Sequence, residues 1–409
     1  MTYGRNLFAV TAASFIGFMG FTLVMPFLPL YFHQLGVDDV GRVAMWSGLS
    51  LGVTPAVTAL LAPAWGRFAD RFGRKIMVER SLASFVLVMS AMAFVTQPWH
   101  VFALRVFQGL FAGYGALTLA MAADSAPPGK MAQSIGTIQT AQRLGPALGP
   151  VFGGTVAAIV GLRHAFFVTA GFYLLAFVLV LVLYDEKAAR AHAAPKPDAA
   201  PAVTFRNVLA FENFLLMAAV IFGFQFVDRS FGPVLPLYVG ELGTSASRVA
   251  FMSGVLFSIA AGAGAIGHHI CARLLRQRTA AQLIAWACAA AGVGAAIYLA
   301  ARGTPWLFAA TPLFGLAIGV GTTAAYTAAA AVIPANVRGT GFGLLTTASL
   351  VGLAVSPVLC GLLAASSRRA VFGLDVVFLA ALGVIVYRLG GESERSARTP
   401  SDEPVPENL

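Results

Sequence analysis

The chain has 409 residues, of which 58% are hydrophobic and only 11% charged, with a formal net charge of +10 and a mean hydropathy of +0.80. A water-soluble fold of this length cannot hide so much apolar surface, and the apolar runs approach the roughly 20 residues that a helix needs to cross a bilayer. The positive balance does not point to nucleic acid, because the cations cluster in alternate segments between the runs, as membrane topology requires.

The first run, residues 7–32, is too long for a signal peptide and lacks a small-residue cleavage pattern, so it is expected to stay as a membrane helix. Further spans are predicted at 45–65, 76–95, 101–123, 134–160, 165–184, 213–239, 250–272, 282–300, 306–332, 340–364 and 370–388, giving an all-α membrane protein of twelve transmembrane helices. An even number places both termini on one side. With cytoplasmic termini, eighteen of the 27 Lys and Arg residues lie in inner segments and six in outer ones, the bias expected of that orientation. Cys271, Cys288 and Cys360 fall in or beside apolar runs and imply no disulfide framework.

The chain repeats itself. Pro26-Phe-Leu-Pro29-Leu-Tyr31 recurs as Pro233-Val-Leu-Pro236-Leu-Tyr238, and the same register maps Gly145 to Gly352, Pro150 to Pro357 and Gly154 to Gly361. Two six-helix halves in parallel repeat are therefore expected, 1–184 and 213–389. They are joined by a cytoplasmic linker at 185–212, rich in Ala, Pro and charge, and followed by a polar tail at 390–409.

Four segments carry chemistry. Between the second and third spans, Gly66-Arg-Phe-Ala-Asp70-Arg71-Phe-Gly73-Arg74-Lys75 is too charged for lipid and is predicted to be a tight loop. Asp70 there suits a helix N-terminus, where the dipole favours an anion, and Arg74 suits a carboxylate on a neighbouring helix. In the fourth span, Arg105 within Arg105-Val-Phe-Gln108-Gly109 is expensive in lipid and must face protein or water, unless it snorkels to the outer headgroups. In the fifth span, Gly145, Gly149 and Gly153 are four residues apart and make a groove for a neighbouring helix, while Pro150 removes a backbone hydrogen bond and kinks the helix. In the seventh span, Asp228 is read as the only deep carboxylate, with Glu79 and Asp375 nearer span ends. Low dielectric suits it to loading and releasing a proton. Arg143 is its expected counter-charge, with Arg229 pointing elsewhere round the helix. A static ion pair is the competing reading. Phe18, Phe21, Met25, Gln139, Gln142, Phe224, Gln225 and Tyr326 are candidates for the lining of a cleft, where aromatic and Met surfaces accept varied lipophilic shapes; each could equally be ordinary packing.

These motifs resemble those of the major facilitator superfamily. The loop at Gly66 to Lys75 matches the pattern G-x-x-x-D-R-x-G-R-K, and Gly145 to Gly154 matches the fifth-helix antiporter motif G-x-x-x-G-P-x-x-G-G, with Gly145, Gly149, Pro150, Gly153 and Gly154 all in place. The resemblance implies that Gly66, Asp70, Arg71, Gly73, Arg74 and Lys75 form a conformational latch, with Asp70 meeting the eleventh helix near Thr340 and Arg74 bridging to Asp124. It implies that Arg105 aids proton transfer, alongside Asp228 and Arg143. The first-helix run Phe15 to Pro29 lacks the acidic residue that some relatives carry there. The whole implies a drug:proton antiporter that exports lipophilic small molecules or drugs, cationic or neutral, from the cytoplasm by alternating access. Its expected partners are the bilayer, the substrate and protons, with no nucleic acid. It would be a monomer in the inner membrane, powered by the proton gradient without a cofactor. The alternatives are a proton-coupled transporter of a polar metabolite such as a sugar, and a non-transporting receptor on the same fold. No Walker loop is present, His268-His269 lacks a second ligand pair and is expected near the inner surface, and no enzyme signature competes.

Overall fold

The apolar runs fold as helices. The computed structural model describes residues 2–127, 130–186, 214–333 and 338–398, and among these residues there are helices and turns but no strand. The first half comprises α1 (Thr2–Leu23), α2 (Leu28–Gln34), α3 (Val40–Phe72), α4 (Arg74–Met92), α5 (Pro98–Phe111), α6 (Tyr114–Ser125), α7 (Met131–Val160) and α8 (Leu162–Leu183). The second comprises α9 (Phe214–Ser230), α10 (Leu235–Glu241), α11 (Ala246–Leu274), α12 (Ala280–Ala300), α13 (Thr304–Val332), α14 (Arg338–Ala364) and α15 (Arg368–Arg398).

On length and hydropathy, ten stretches among the described residues can cross a bilayer, or eleven if α9 and α10, bent by 43°, count as one span. Helix α4 falls short because Arg74, Lys75, Glu79 and Arg80 crowd its first two turns. The repeat is visible in the elements. The turn at residues 24–27 before α2 recurs at 231–234 before α10. At both places prolines without N–H groups interrupt the backbone ladder.

Three boundaries differ from the sequence expectation. Residues 66–72 are not a loop but the last turns of α3, and the corner is Gly73 alone, at φ 103° and ψ 148°. A helix of 33 residues rises about 50 Å at 1.5 Å per residue, so its charged end stands clear of a hydrocarbon core of about 30 Å. Charge forbids lipid there, but it does not forbid helix. The fourth span is broken between α5 and α6, where Gly113 takes φ 110°, a value that favours glycine. The break is capped by side chains: Trp65 Nε1 donates to Leu110 O at 2.8 Å, Ser81 Oγ to Phe111 O at 2.6 Å, and Arg80 Nη2 to the same carbonyl at 3.1 Å. The last helix runs past 388 to Arg398, through Glu and Arg residues that favour helix. The linker expected at 185–212, beyond Glu186, lies outside the described residues, as does the tail beyond Arg398.

Each half has its own apolar core. The halves meet along two seams. On one, Gly48 and Gly52 of α3 face Pro357 and Ala354 of α14, and Gly361 faces Ala44. On the other, Gly154 of α7 faces Ala250 of α11, Gly254 faces Pro150, and Val151 N donates to Ser258 Oγ at 3.0 Å. A Cβ at any of these glycines would overlap backbone across the seam, so only hydrogen permits the approach. The N-terminal end of the bundle is marked by Tyr3 OH–Ser134 Oγ at 2.8 Å and Asn6 Nδ2–Asp185 O at 2.9 Å. Both seams lie toward the other end.

Candidate functional site

Between the halves lies a cavity of about 310 Å³. Five spans line it, each through one helical face. Helix α1 gives Phe18 and Thr22, and the turn after it Met25; α7 gives Gln142, Arg143, Pro146 and Pro150; the end of α9 gives Gln225, Asp228, Arg229 and the following Gly232. Helix α11 contributes Phe257, Ala260, Ala261, Gly264, Ala265 and His268, and α13 contributes Gly315, Ile318, Gly319 and Thr322. The spacing of three and four residues within each set is the signature of a single helix face. Toward the N-terminal end Gln139, Thr140 and Arg143 of α7 are exposed, whereas toward the other end the glycine seams close. The cavity is a cleft with its mouth on the side that bears the N-terminus.

Four of the eight expected lining residues, Phe18, Met25, Gln142 and Gln225, are in this wall. Gln142 Nε2 is anchored on Gly115 O at 3.0 Å. The other four are not. Phe224 is wholly buried, its ring over Gly321 in the second core, because one residue from Gln225 is about 100° round the helix. Gln139 is exposed on the mouth side of the wall, and Phe21 and Tyr326 lie outside the lining at intermediate exposure.

The charges are arranged differently from the expectation. Asp228 does enter the cleft, but its partner is Arg229, Nε to Oδ2 at 3.1 Å. Arg143 shares the cavity and makes no ion pair with Asp228. Helix α9 ends at Ser230, which leaves the long Arg229 side chain room to fold back on its neighbour. Two guanidiniums thus face one carboxylate. His268, expected near the membrane surface, lines the cleft instead, with Nδ1 2.7 Å from Thr323 Oγ1. Its face could have been read from the small residues Ala261, Gly264 and Ala265, which recur at helical spacing before it. Among the described residues no cluster could hold a metal ion.

Of the latch residues, Arg74 reaches Asp124 in a short ion pair through Nη1 and Oδ2. The N–H of Arg74 donates to Glu186 Oε1 at 2.9 Å. Lys75 Nζ donates to Leu181 O at 2.9 Å and Tyr184 O at 2.8 Å, a cation at the carboxyl end of α8 where the dipole favours it. Arg71 lies over Phe72, 5.3 Å from the ring centroid. The surroundings of Gly66 and the side chains of Asp70 and Thr340 lie outside what is described, and the expected meeting of Asp70 with the helix near Thr340 lies there too.

Arg105 does not snorkel. It is 1% exposed, Nη1 donates to Gln108 Oε1 at 2.9 Å, and Nε and Nη2 have no partner among the described residues. In the glycine motif, Gly145, Gly149 and Gly153 press on the backbone of α1 at Phe15, Met19 and Leu23, inside the first half. Gly154 and Pro150 turn to α11 and form the seam between halves. One motif thus faces two partners. Asp375, read as near a span end, proves to be wholly buried.

Two repeated helical bundles with a cleft between them define an all-α membrane fold. The family model described as Major Facilitator Superfamily matches residues 10–310 and 283–407, and the chain belongs to that superfamily. It is 33% identical over 261 residues to "Multidrug resistance protein MdtG" of Proteus mirabilis (strain HI4320). It is 35% identical over 260 residues to the protein of that name in Escherichia coli O6:K15:H31 (strain 536 / UPEC). These matches span 63% of this chain and 64% and 63% of the relatives, so the chain covers less than two thirds of their length. Among solved structures, a bacterial homolog of the human lysosomal transporter Spinster, inward-facing and unoccupied, superposes with TM-score 0.77 at 18% identity, covering 96% of this chain and 98% of that one. The nucleoside transporter NupG does so with TM-score 0.73 at 12% identity, covering 93% and 99%. At those identities the likeness is one of fold.

Proposed function

We propose that this protein is an exporter of lipophilic small molecules driven by proton exchange, working by alternating access about the cleft. The observation that carries the reading is the cleft itself. It is closed by glycine seams at one end and walled by Phe18, Met25 and Phe257, and it holds Asp228 among Arg143, Arg229 and His268. The similarity to proteins named for multidrug resistance supports the substrate class. The charge balance refines it. With two guanidiniums to one carboxylate, the cleft favours lipophilic compounds that carry an acidic group, because a guanidinium pairs with a carboxylate or phosphonate through two parallel hydrogen bonds. A lipophilic cation would meet Arg143 unopposed.

Asp228 is the proposed proton carrier. Its carboxylate is paired with Arg229 in this structure, and rocking of the halves would part that pair and free Asp228 to exchange a proton. Arg105 is a proposed second proton-relay group, and Gly66 to Lys75 with Asp124 the proposed latch. Basic residues on the N-terminal side of the bundle support cytoplasmic termini in an inner membrane, and the mouth of the cleft would then face the cytoplasm. We propose a monomer without a cofactor, the proton gradient supplying the energy. The test is accumulation of a lipophilic acid in cells with and without the protein, repeated after the proton gradient is collapsed. Expression should lower accumulation only while the gradient stands. Equal accumulation with and without the protein for acidic, neutral and cationic compounds alike would refute export.

A further inference from the structure

Asp375 on α15 lies outside the cleft, wholly buried one turn from Phe372 and Leu379 of the second core. Among the described residues its Oδ1 has no hydrogen-bond partner. Its Oδ2 is 2.6 Å from Ser230 Oγ. Among the described residues no Lys, Arg or His pairs with it, and the titratable side chain near it is the Cys360 thiol of α14. Ser230 Oγ is also 2.8 Å from Val227 O. A hydroxyl has one proton, and it faces two acceptors. If Asp375 were ionised, Ser230 would donate to the carboxylate, leaving its oxygen against the Val227 carbonyl and Oδ1 bare in an apolar core. A bare buried carboxylate is among the costliest groups a protein can hold. A proton on the carboxyl removes both conflicts: Oδ2–H donates to Ser230 Oγ, and Ser230 donates to Val227 O.

We propose that Asp375 is a neutral carboxylic acid whose proton, relayed through Ser230 to Val227, fixes the joint of the broken seventh span and so sets the position of Asp228 and Arg229 in the cleft. Ser230 is the last residue of α9, and the turn of residues 231–234 follows it. Asp228 and Arg229 immediately precede it, and Gly232 of the same turn lines the cleft. Ser356 of α14 adds a second tie through a short hydrogen bond to Phe226 O. The last turn of α9 is thereby held from α14 and α15 together. Asp375 is a positioning residue, and the joint it holds requires a proton.

The experiment uses the purified full chain in detergent. Infrared spectra of the parent and of Asp375→Asn report the protonated-carboxyl C=O band. Labelling of Gly232→Cys by a thiol reagent, in parent, Asp375→Asn and Asp375→Ala backgrounds, reports the joint; the three native cysteines are buried. A band present in the parent and lost in Asp375→Asn is expected. So is parent-like labelling in the Asn background, where the amide restores a neutral donor. In the Ala background the labelling rate should change by on the order of tenfold, because the Ser230 hydroxyl loses its partner. No band lost in Asp375→Asn would mean an ionised carboxylate and overturn the proposal. Labelling that is the same in all three backgrounds would overturn the positioning role. Neither readout depends on export, so its failure is separate from failure of the transport reading.

Discussion

Arg143 lines the cleft without forming an ion pair among the described residues, which makes its removal a clean probe. Deleting one member of a buried pair strands the other, but Arg143→Gln strands nothing. Its effect should fall on substrate rather than on stability. The expected outcome is an affinity for a lipophilic acid lower by about tenfold, since a hydrogen bond to a charged group contributes roughly 1.5–3 kcal/mol, with the affinity for the corresponding neutral ester unchanged. Titration of both ligands into purified protein checks this, and an equal loss for acid and ester would remove Arg143 from anion recognition. Asp228→Asn should behave differently. It mimics the protonated carboxyl and cannot release a proton, so substrate-induced proton release from purified protein should vanish while binding persists. If the variant releases as many protons as the parent, the carrier is another group and Asp228 is only the partner of Arg229.

The glycines of α7 show what an element encodes beyond its motif. Gly153 faces the backbone of Leu23 within one half, and its neighbour Gly154 faces Ala250 across the seam. Gly153→Leu should therefore lower thermal stability, overpacking a core by typically 1–3 kcal/mol or more. Gly154→Leu should keep each half intact and hold the distal seam open. Melting temperature and thiol labelling of a cysteine placed in the cleft, applied from the side away from the termini, separate the two. Identical behaviour of the variants would mean that the motif acts as one packing face. The spacing of these glycines was legible in the sequence, as was the repeat that relates α2 to α10. Which partner each glycine meets was not, because residues 153 and 154 lie only about 100° apart and both facing helices are distant in the chain. The break at Gly113 was hidden for a similar reason. The sequence reads as one apolar run, and the Trp65, Arg80 and Ser81 side chains that satisfy the freed carbonyls come from other spans. The charge pairing of Asp228 depended on where α9 ends, which a periodicity cannot locate to one residue.

At the scale of the whole molecule, two rigid cores joined by glycine seams at one end can rock only if those seams part. A covalent bridge across the seam should stop the cycle without touching the cleft. Gly41 of α3 and Ala365 after α14 offer a site: a Cβ built at Gly41 would lie 3.1 Å from that of Ala365, close to the Cβ separation of about 3.5–4.5 Å in disulfides. Gly41 does not take a positive φ, so its backbone conformation accepts cysteine, but a Cβ there also lies 2.9 Å from Ala365 Cα, so the backbone at the exposed Ala365 must move outward by a few tenths of an ångström to seat the bond. The native Cys271, Cys288 and Cys360 are buried and should not compete. The paired variant Gly41→Cys/Ala365→Cys should export like the parent when reduced. Once oxidised it should bind substrate from the N-terminal side but export none, and reductant should restore transport. Each single cysteine variant should be indifferent to oxidation. If the bridged protein exports at the parent rate, the seam does not open during transport, and substrate must leave the cleft by a lateral path between helices rather than by rocking of the halves.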